Sequence, residues 1–387
     1  MKKIYLDNNA TTMCDPEAAA ESAQFLGEIY GNPSSLHNFG IEAMRKVREY
    51  YDTLYEAFNA SDSDDIIVNS CGTESNNTVL KTVYDTFIRT GKRRKIITTN
   101  VEHPAINEPL EYLKELGAEP VFLPVDKNGA VSAEQAAEAI DTDTALVSVM
   151  WANNETGVIM PVEEILEICR SRDVLFHTDA TQAVGKIKMD LTKFKPDYLT
   201  FSAHKFHGPK GVGGLFIKNG APARPLLYGG EQMRRLRAGT VNTLGIAGMA
   251  IAAKKAADSL EFEQTEVRRM RDRLEAGLLE IPDTVLNGHP ENRVPNTANI
   301  SFLHIEGEAM LWDLNENGIA ASTGSACSSE ELAPSSVLSN MGSDPERTHT
   351  ALRFSLSRFN TMEEIEYTVN TVKKIVNRLR TISGRKG

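Results

Sequence analysis

Short apolar runs alternate with amphipathic segments through the first two-thirds of the chain. Strands that alternate with helices of about 10 to 15 residues are typical of an α/β fold around a parallel sheet. Seven apolar runs predict a mostly parallel, seven-stranded sheet: Ile66–Asn69, Ile96–Thr99, Pro120–Leu123, Ala145–Met150, Val174–His177, Tyr198–Phe201 and Gly213–Ile217. The predicted helices between them include Ser75–Arg89, Ile106–Leu116, Ala133–Ile140 and Val162–Ser171.

A different pattern follows in the last third of the chain. The predicted elements are an interrupted helical stretch Leu244–Leu279, strands Ala298–Phe302 and Leu352–Ser357, and helices Gly307–Asn317 and Met362–Ile382. Thr361 and Glu364 form a capping signal before the last helix. We therefore expect a large α/β domain of residues 13–258 and a smaller α+β domain of residues 1–12 and 259–387. No repeat or low-complexity linker is visible, so we expect the domains to be in firm contact.

Composition narrows the class of protein. The 387 residues are 41% hydrophobic and 25% charged, which is typical of a packed globular protein. A net charge of -11 argues against a nucleic-acid-binding surface. No apolar run reaches about 18 residues and no secretory leader is visible, so we expect a cytoplasmic protein. Four scattered cysteines (Cys14, Cys71, Cys169 and Cys327) lack the spacing of a zinc site and are expected to be free thiols.

Polar residues collect where the predicted strands end. Ligands of open α/β sheets bind beyond the carboxyl ends of the strands, so these positions are candidate site residues. They are Gly72 and Thr73 in SCGTES, His103 in NVEHPA, Asn153 and Asn154 in MWANNETG, Asp179 and Gln182 in HTDATQ, and Ser202, His204 and Lys205 in FSAHKFHGPKG. The turn at Gly72 is either an anion site at a helix N-terminus or a plain N-cap formed by Thr73.

Lys205 is the sharpest single candidate. It follows an apolar strand and precedes a turn rich in glycine and proline, so its amine is expected to enter a cleft. Desolvation lowers the pKa of an amine and makes it a nucleophile toward aldehydes. The alternative is a solvated loop lysine. An anion site, an amine and the carboxylate of Asp179 together match the phosphate, the aldehyde and the ring nitrogen of pyridoxal 5'-phosphate.

Cys327 lies in STGSACSS, among small residues, which predicts a thiol on a mobile loop. Taken alone, it could be an unreactive surface thiol. A cysteine hydrolase with His103 or His349 as base is also possible, although Lys205 and Asp179 would then have no role. No glycine-rich nucleotide motif has the required spacing.

Ordered motifs along nearly the whole chain point to one family. They include YLDNNATT, YGNPSSLHNFG, SCGTESNN, VMWANNETG, FHTDATQAVGK, SAHKFHGPKG, RRLRAGTVN, STGSACSS and LRFSLSRFN. The chain resembles the cysteine desulfurases of the NifS/IscS type, in class V of the fold-type I pyridoxal-phosphate enzymes, and is most similar to the NifS-like branch. The resemblance implies the fold-type I architecture, a homodimer and pyridoxal 5'-phosphate.

The resemblance also implies a role for each matching residue. Lys205 would form the Schiff base with the cofactor. His103 would stack on the ring and act as acid and base for the substrate thiol. The other implied cofactor contacts are Asp179 to the ring nitrogen, Gln182 to the phenolic oxygen, Gly72, Thr73, Ser202 and His204 to the phosphate, Thr240 to the phosphate of the other subunit, and Asn154. Asn154 and Arg353 would hold the substrate carboxylate, and Cys327 would be the catalytic cysteine.

The implied reaction removes sulfur from L-cysteine, leaving L-alanine and a persulfide on Cys327. The persulfide would pass to a scaffold protein or another acceptor for iron–sulfur cluster assembly, and Cys327 could ligate a transient cluster shared with the scaffold. The alternatives are selenocysteine lyase, another class V enzyme, or a non-catalytic sulfur carrier.

Overall fold

The computed structural model describes residues 3–324 and 335–382, so the predicted catalytic Cys327 lies outside the described residues. Twelve strands occur in these ranges: β1 Ile4–Tyr5, β2 Asp65–Asn69, β3 Lys95–Thr99, β4 Glu119–Leu123, β5 Thr144–Ser148, β6 Leu175–Asp179, β7 Tyr198–Ser202, β8 Gly213–Ile217, β9 Thr284–Asn287, β10 Thr297–Phe302, β11 Ile319–Ala320 and β12 Ala351–Ser355. The same ranges hold thirteen α-helices: α1 Pro16–Gly27, α2 Asn38–Phe58, α3 Gly72–Val83, α4 Pro104–Glu115, α5 Ala133–Ala139, α6 Val162–Ser171, α7 Thr243–Asp258, α8 Leu260–Phe262, α9 Arg268–Leu279, α10 Gly307–Glu316, α11 Ser336–Asn340, α12 Pro345–His349 and α13 Met362–Ile382.

Seven strands form one sheet in the order β2-β8-β7-β6-β5-β3-β4. Every neighbouring pair is parallel except the two that involve β8, which runs opposite to β2 and β7. The predicted α/β fold with a mostly parallel seven-stranded sheet is therefore confirmed. All seven strands lie within two residues of their predicted bounds. Because most strands run the same way, their carboxyl ends meet at one edge, and the candidate site residues lie there.

Two predicted helices contain irregular turns. The stretch after Gly72 changes to a π-helical turn at Tyr84–Ile88. The long stretch Leu244–Leu279 is divided into α7, α8, a π-helical turn Glu263–Val267 and α9. The predicted interruptions are thus confirmed. Glu263 lies in the second π-helical turn and is buried. Single-turn π segments inside helices occur frequently at functional sites.

The last third of the chain forms two smaller sheets. Strands β12, β10 and β9 make an antiparallel sheet, and β1 pairs with β11 in parallel. The short strand-like run that the sequence shows at its start forms β1, whereas the two-residue strand β11 is too short to show a period-2 pattern and was not predicted. The capping signal before α13 is confirmed, since the amide of Thr361 donates to Glu364 Oε2 (3.2 Å) and the amide of Glu364 donates to Thr361 Oγ1 (3.3 Å).

The hydrophobic core has two main parts. Both faces of the seven-stranded sheet are covered by apolar side chains of the surrounding helices. A separate cluster joins Ile4 and Leu6 to side chains between Val267 and Val376. Between residues 6 and 15 the chain therefore passes from this separate cluster to the edge of the large sheet. Helix α11 differs from the rest of the last third of the chain, because its residues Val337 and Leu338 belong to the cluster of the large sheet. No helix in the two described ranges is long and apolar enough to cross a membrane.

Candidate active site

One cavity of about 220 Å³ lies at the carboxyl ends of β2, β3, β5, β6 and β7. Its walls bring together every described candidate residue for which the sequence predicts a cofactor or substrate contact, except Thr240. These are Gly72, Thr73, His103, Asn154, Asp179, Gln182, Ser202, His204, Lys205 and Arg353. Asn153, which also follows β5, instead caps a turn: its Oδ1 accepts from the amides of Glu155 (2.9 Å) and Thr156 (3.0 Å).

Asp179 is the last residue of β6, and its carboxylate is held from two sides. Asn76 Nδ2 donates to Oδ2 at 2.7 Å, and the amide of Thr181 donates to Oδ1 at 3.0 Å. Asp179 is buried, with 8% of the residue exposed. These two contacts fix the plane of the carboxylate at the wall of the cavity.

Lys205 ends a short 3₁₀ turn that follows β7 directly. Its Nζ donates to the carbonyls of Asn9 (2.5 Å) and Ala10 (2.8 Å). The same Asn9 carbonyl also accepts from Gln182 Nε2 at 3.0 Å. The N-terminal segment therefore anchors two predicted site residues that lie on different strand ends. The prediction that Lys205 enters a cleft is confirmed.

The turn at Gly72 is the N-terminus of α3 and opens into the cavity. The N-cap residue is Cys71, whose side chain makes no capping bond, and Thr73 lies inside the first turn with its side chain exposed. The alternative of an N-cap formed by Thr73 is therefore wrong. The first amides of an α-helix have no intrahelical partner, so they can receive an anion here. A Cβ at Gly213 would lie 2.7 Å from the carbonyl carbon of Cys71, so β8 approaches the turn this closely only with glycine.

Two histidines in the cavity are held in neutral form by their surroundings. His103 Nδ1 accepts from the amide of Ala105 (3.1 Å), which leaves the proton of the neutral ring on Nε2. Burial lowers the pKa of His103, and the nearby Asp179 partly opposes this. His204 Nδ1 lies 3.1 Å from Thr11 Oγ1. Burial lowers the pKa of His204 to about 4, and the charge of Lys205 adds to the effect.

Arg353 lies in β12 and is 1% exposed, yet it reaches the cavity. Its Nη1 donates to the carbonyl of Asn154 (3.0 Å) and its Nη2 to Asp7 Oδ1 (2.9 Å). Among the described residues its Nε has no hydrogen-bond partner. The guanidinium is therefore oriented by two contacts and keeps unused donor capacity, since the group carries five N–H bonds.

Thr240 is exposed and does not line the cavity of this chain. The segment before it is tied to the start of α3, because Arg237 Nε donates to Glu74 Oε1 at 3.0 Å. In the described ranges no group of three or more His, Cys, Asp and Glu side chains could hold a metal ion.

Comparison with known proteins decides the family. The family described as Aminotransferase class-V matches residues 4–368. Cysteine desulfurase NifS of Azotobacter vinelandii is 45% identical over 99% of this chain and 95% of its own length. Cysteine desulfurase IscS of Dictyoglomus turgidum is 43% identical over 99% of this chain and 96% of its own. A solved structure titled NifS-like protein superposes with a TM-score of 0.92 at 39% identity and covers 98% of this chain and all of its own.

The chain belongs to the NifS/IscS cysteine desulfurase family of class V aminotransferases. Enzymes of this class use pyridoxal 5'-phosphate, and the resemblance found in the sequence motifs is confirmed. The fold-type I expectation is confirmed as well, since structures of NifS-like enzymes superpose over nearly the whole chain.

The cavity of this desulfurase-family chain fits that cofactor. Three buried polar atoms in its walls, Ser202 Oγ, Thr181 Oγ1 and Asn76 Oδ1, have no hydrogen-bond partner in the described part of the chain. A buried polar group without a partner costs about 1–3 kcal/mol, so the walls are built for a polar ligand. Unpaired hydroxyls beside a helix N-terminus suit a phosphate, and a fixed carboxylate suits a protonated ring nitrogen.

Sequence reasoning missed four residues of this site. Asn76 lies four residues after Gly72, a helical spacing that could have placed both on the cavity face of α3. Thr181 stands between two predicted residues, Asp179 and Gln182. Asp7 and Asn9 belong to the motif YLDNNATT, but their main partners, Arg353 and Lys205, lie roughly 200 to 350 residues away in sequence. No local pattern reveals such contacts.

Proposed function

We propose that this protein is a pyridoxal-phosphate-dependent cysteine desulfurase that removes sulfur from L-cysteine and leaves L-alanine. The observation that carries the proposal is the single cavity that holds an amine (Lys205), a fixed carboxylate (Asp179) and an open helix N-terminus (Gly72). Membership of the cysteine desulfurase family supports the choice of substrate.

The walls of the cavity divide into contacts for each part of the cofactor. When bound, pyridoxal phosphate supplies a ring that withdraws electrons from the α-carbon of the substrate. Asp179 would hold the proton on the ring nitrogen, His103 would stack on the ring, and Gln182 would donate to the phenolic oxygen. The proposed phosphate contacts are Gly72, Thr73, Ser202 and His204, with Thr240 of the second subunit, and Asn154 borders the ring.

Lys205 is the amine that binds the cofactor's aldehyde. Its Nζ donates to the carbonyls of Asn9 and Ala10, and these contacts hold the amine at the wall of the cavity. An amine held in a fixed position would react with the cofactor as in an intramolecular reaction.

Arg353 and Asn154 hold the substrate carboxylate. The planar guanidinium suits a bidentate carboxylate, and its buried position strengthens the attraction. His103 exchanges a proton with the substrate sulfur, and only Nε2 can do so, because Nδ1 is engaged by the amide of Ala105. These contacts fix the substrate at both its carboxylate and its sulfur.

Cys327 attacks the substrate sulfur as a thiolate. The bond between sulfur and the β-carbon breaks, a sulfur–sulfur bond forms on Cys327, and the β-carbon gains a proton to become the methyl group of alanine. The described residues that flank the segment of Cys327 in sequence lie close to Glu155, which follows Asn154 in the chain. Ser335 Oγ donates to Glu155 Oε2 at 2.5 Å, a Cβ at Gly324 would lie 3.0 Å from the same oxygen, and Glu155 follows Asn154 directly.

The persulfide is proposed to pass to an acceptor for iron–sulfur cluster assembly, with Cys327 as a transient ligand of a cluster on a scaffold protein. A homodimer is supported by exposed Thr240 and by large exposed apolar side chains, among them Leu36 and Tyr228. A reducing cytoplasm is supported by Cys14, Cys71 and Cys169, which are free thiols.

We also propose that the two main core clusters correspond to the two domains expected from the sequence. Ala256 packs in the cluster of the large sheet and Val267 in the other, which supports a boundary near residue 258. Ile4 and Leu6 support assignment of residues 1–12 to the smaller domain.

The test is to supply the purified protein with L-cysteine and a thiol reductant and to quantify alanine and sulfide together. Equal, catalytic yields of both are expected. Cys327→Ala should keep the cofactor's visible absorbance but lose more than about 100-fold in alanine formation, since the nucleophile is gone. Cys14→Ala, which removes a thiol outside the cavity, is the matched control and should retain activity.

Two outcomes contradict the proposal. Pyruvate and ammonia in place of alanine would leave the fold intact but remove the desulfurase activity. Near-normal turnover by Cys327→Ala would remove the persulfide step.

A further inference from the structure

A second, smaller cavity shares Lys205 with the main one. It measures about 20 Å³, enough to hold about one water molecule. Its walls carry five ionisable groups, of which Lys186, His207 and Glu263 are buried and Lys205 and Arg358 are half-buried. Lys186 and Glu263 are each 6% exposed. Buried charges of this kind are rarely retained without a role or a partner, and the proposed reaction uses neither of them.

Lys186 makes a specific contact with the predicted cofactor residue Gln182. Its Nζ donates to Gln182 Oε1 at 3.3 Å. An ammonium group can only donate, so this contact identifies the oxygen of the amide and fixes its orientation. Gln182 Nε2 then donates one N–H to the carbonyl of Asn9 (3.0 Å). The second N–H of Nε2 remains for the main cavity, whose wall Gln182 forms.

The positive charge of Lys186 is stabilised by Glu263, which lines the smaller cavity. Burial lowers the pKa of Lys186 and raises the pKa of Glu263, and each is opposed by the charge of the other. Arg358 also faces Glu263, and its Nη2 donates to Asp15 Oδ2 at 2.8 Å. The remaining ionisable groups that line the two cavities are His207 in the small one and Cys71, His103, Asp179, His204 and Arg353 in the main one.

We propose that Lys186 is a positioning residue for the bound cofactor. It turns the Gln182 amide so that a donor faces the cofactor's phenolic oxygen, and it places a buried positive charge near Lys205, with Glu263 holding it there. Both effects favour a negatively charged oxygen and an unprotonated nitrogen where Lys205 joins the cofactor. The inference rests on the proposed function for the identity of the ligand.

The test is a pH titration of the visible absorption band of the holoenzyme, without substrate. Lys186→Met removes both the donor and the charge, and the midpoint should rise by about one pH unit or more, because a nearby positive charge shifts a pKa by about that amount. Lys186→Arg keeps both and should stay within about 0.3 units of the wild type. Lys188→Met, an exposed lysine two residues on, is the matched control and should not shift the midpoint.

Lys186→Gln keeps a hydrogen-bond donor but removes the charge, and it is the second variant to test if Lys186→Met does not fold. The midpoint of its pH titration should lie above that of the wild type but below that of Lys186→Met. Wild-type midpoints in folded, cofactor-loaded Lys186→Met or Lys186→Gln would overturn the inference, since a purely structural role would not move the titration. The experiment uses no cysteine, so that result would leave the desulfurase proposal standing. A wild-type protein without any visible band would overturn both.

Discussion

The two sides of the active-site cavity are built differently. On the side proposed for the cofactor, buried atoms such as Ser202 Oγ and Thr181 Oγ1 have no partner among the described residues. On the side proposed for the substrate, Arg353 is already engaged by Asp7 and by the carbonyl of Asn154. The unpartnered atoms of the cofactor side suit a ligand that remains bound throughout the reaction. On the second side two internal partners orient the guanidinium, and only its Nε lacks a hydrogen-bond partner among the described residues.

The difference follows from where the residues originate. The cofactor side comes from neighbouring strand ends of one sheet, so backbone hydrogen bonds fix the spacing of its side chains. The substrate side joins three segments, around Asp7, Asn154 and Arg353, which meet where the two core clusters adjoin. A site assembled from segments that are distant in sequence is the one expected to adjust when a ligand enters.

Asp179→Asn should have the largest effect on the cofactor side. The amide has nearly the same shape but no negative charge with which to keep the ring nitrogen protonated. We expect a loss of at least about 100-fold in kcat, or about 2.7 kcal/mol, with the cofactor still bound. Alanine formation and the visible spectrum measure the two quantities. Asp173→Asn, on an exposed carboxylate, is the control, and equal activity of both variants would show that the Asp179 charge is not needed.

Arg353→Lys should have an intermediate effect that is confined to the substrate side. Lysine keeps the charge but loses the planar fork, so the KM for L-cysteine should rise by about 10-fold or more, while the cofactor spectrum stays unchanged. Steady-state kinetics over a wide cysteine range separates KM from kcat. Arg273→Lys, in a partly exposed ion pair with Glu366, is the matched control. A loss of bound cofactor in Arg353→Lys would show that the two sides are not separate.

Ser202→Ala should have the smallest effect. It removes one hydroxyl that has no protein partner, so the fold is not expected to weaken. The affinity for pyridoxal phosphate should fall by about 5- to 20-fold, equivalent to about 1–2 kcal/mol for one hydrogen bond to a charged group. Titration of the apoenzyme with the cofactor measures this, with exposed Ser171→Ala as control. A raised KM for cysteine at saturating cofactor would show that Ser202 acts on the substrate side of the cavity and not on the cofactor side.

The different origins of the two sides also explain which site residues could be predicted from the sequence. Strand ends could be found from periodicity, and each carries its polar residue only a few positions later, so Asp179, Ser202 and Lys205 were found together. Thr73 was placed correctly at the cavity, but the alternative that it forms the N-cap was wrong, because the N-cap of α3 is Cys71, two residues earlier. Contacts that join distant segments leave no periodic signal. For this reason Asn9, Asp7 and the pair of Lys186 and Glu263 became visible only in the structure.

The position of the N-terminal segment also has a consequence for how the protein is made. Ile4 pairs with Ile319, and the amide of Asn8 donates to the carbonyl of Ser355 at 3.1 Å. These first residues leave the ribosome long before their partners are synthesised, and loops that span more than 300 residues close late. The carbonyls that hold Lys205 therefore reach their places only when β12 has emerged. Capture of the cofactor should be among the last events of biosynthesis, after the large sheet has formed.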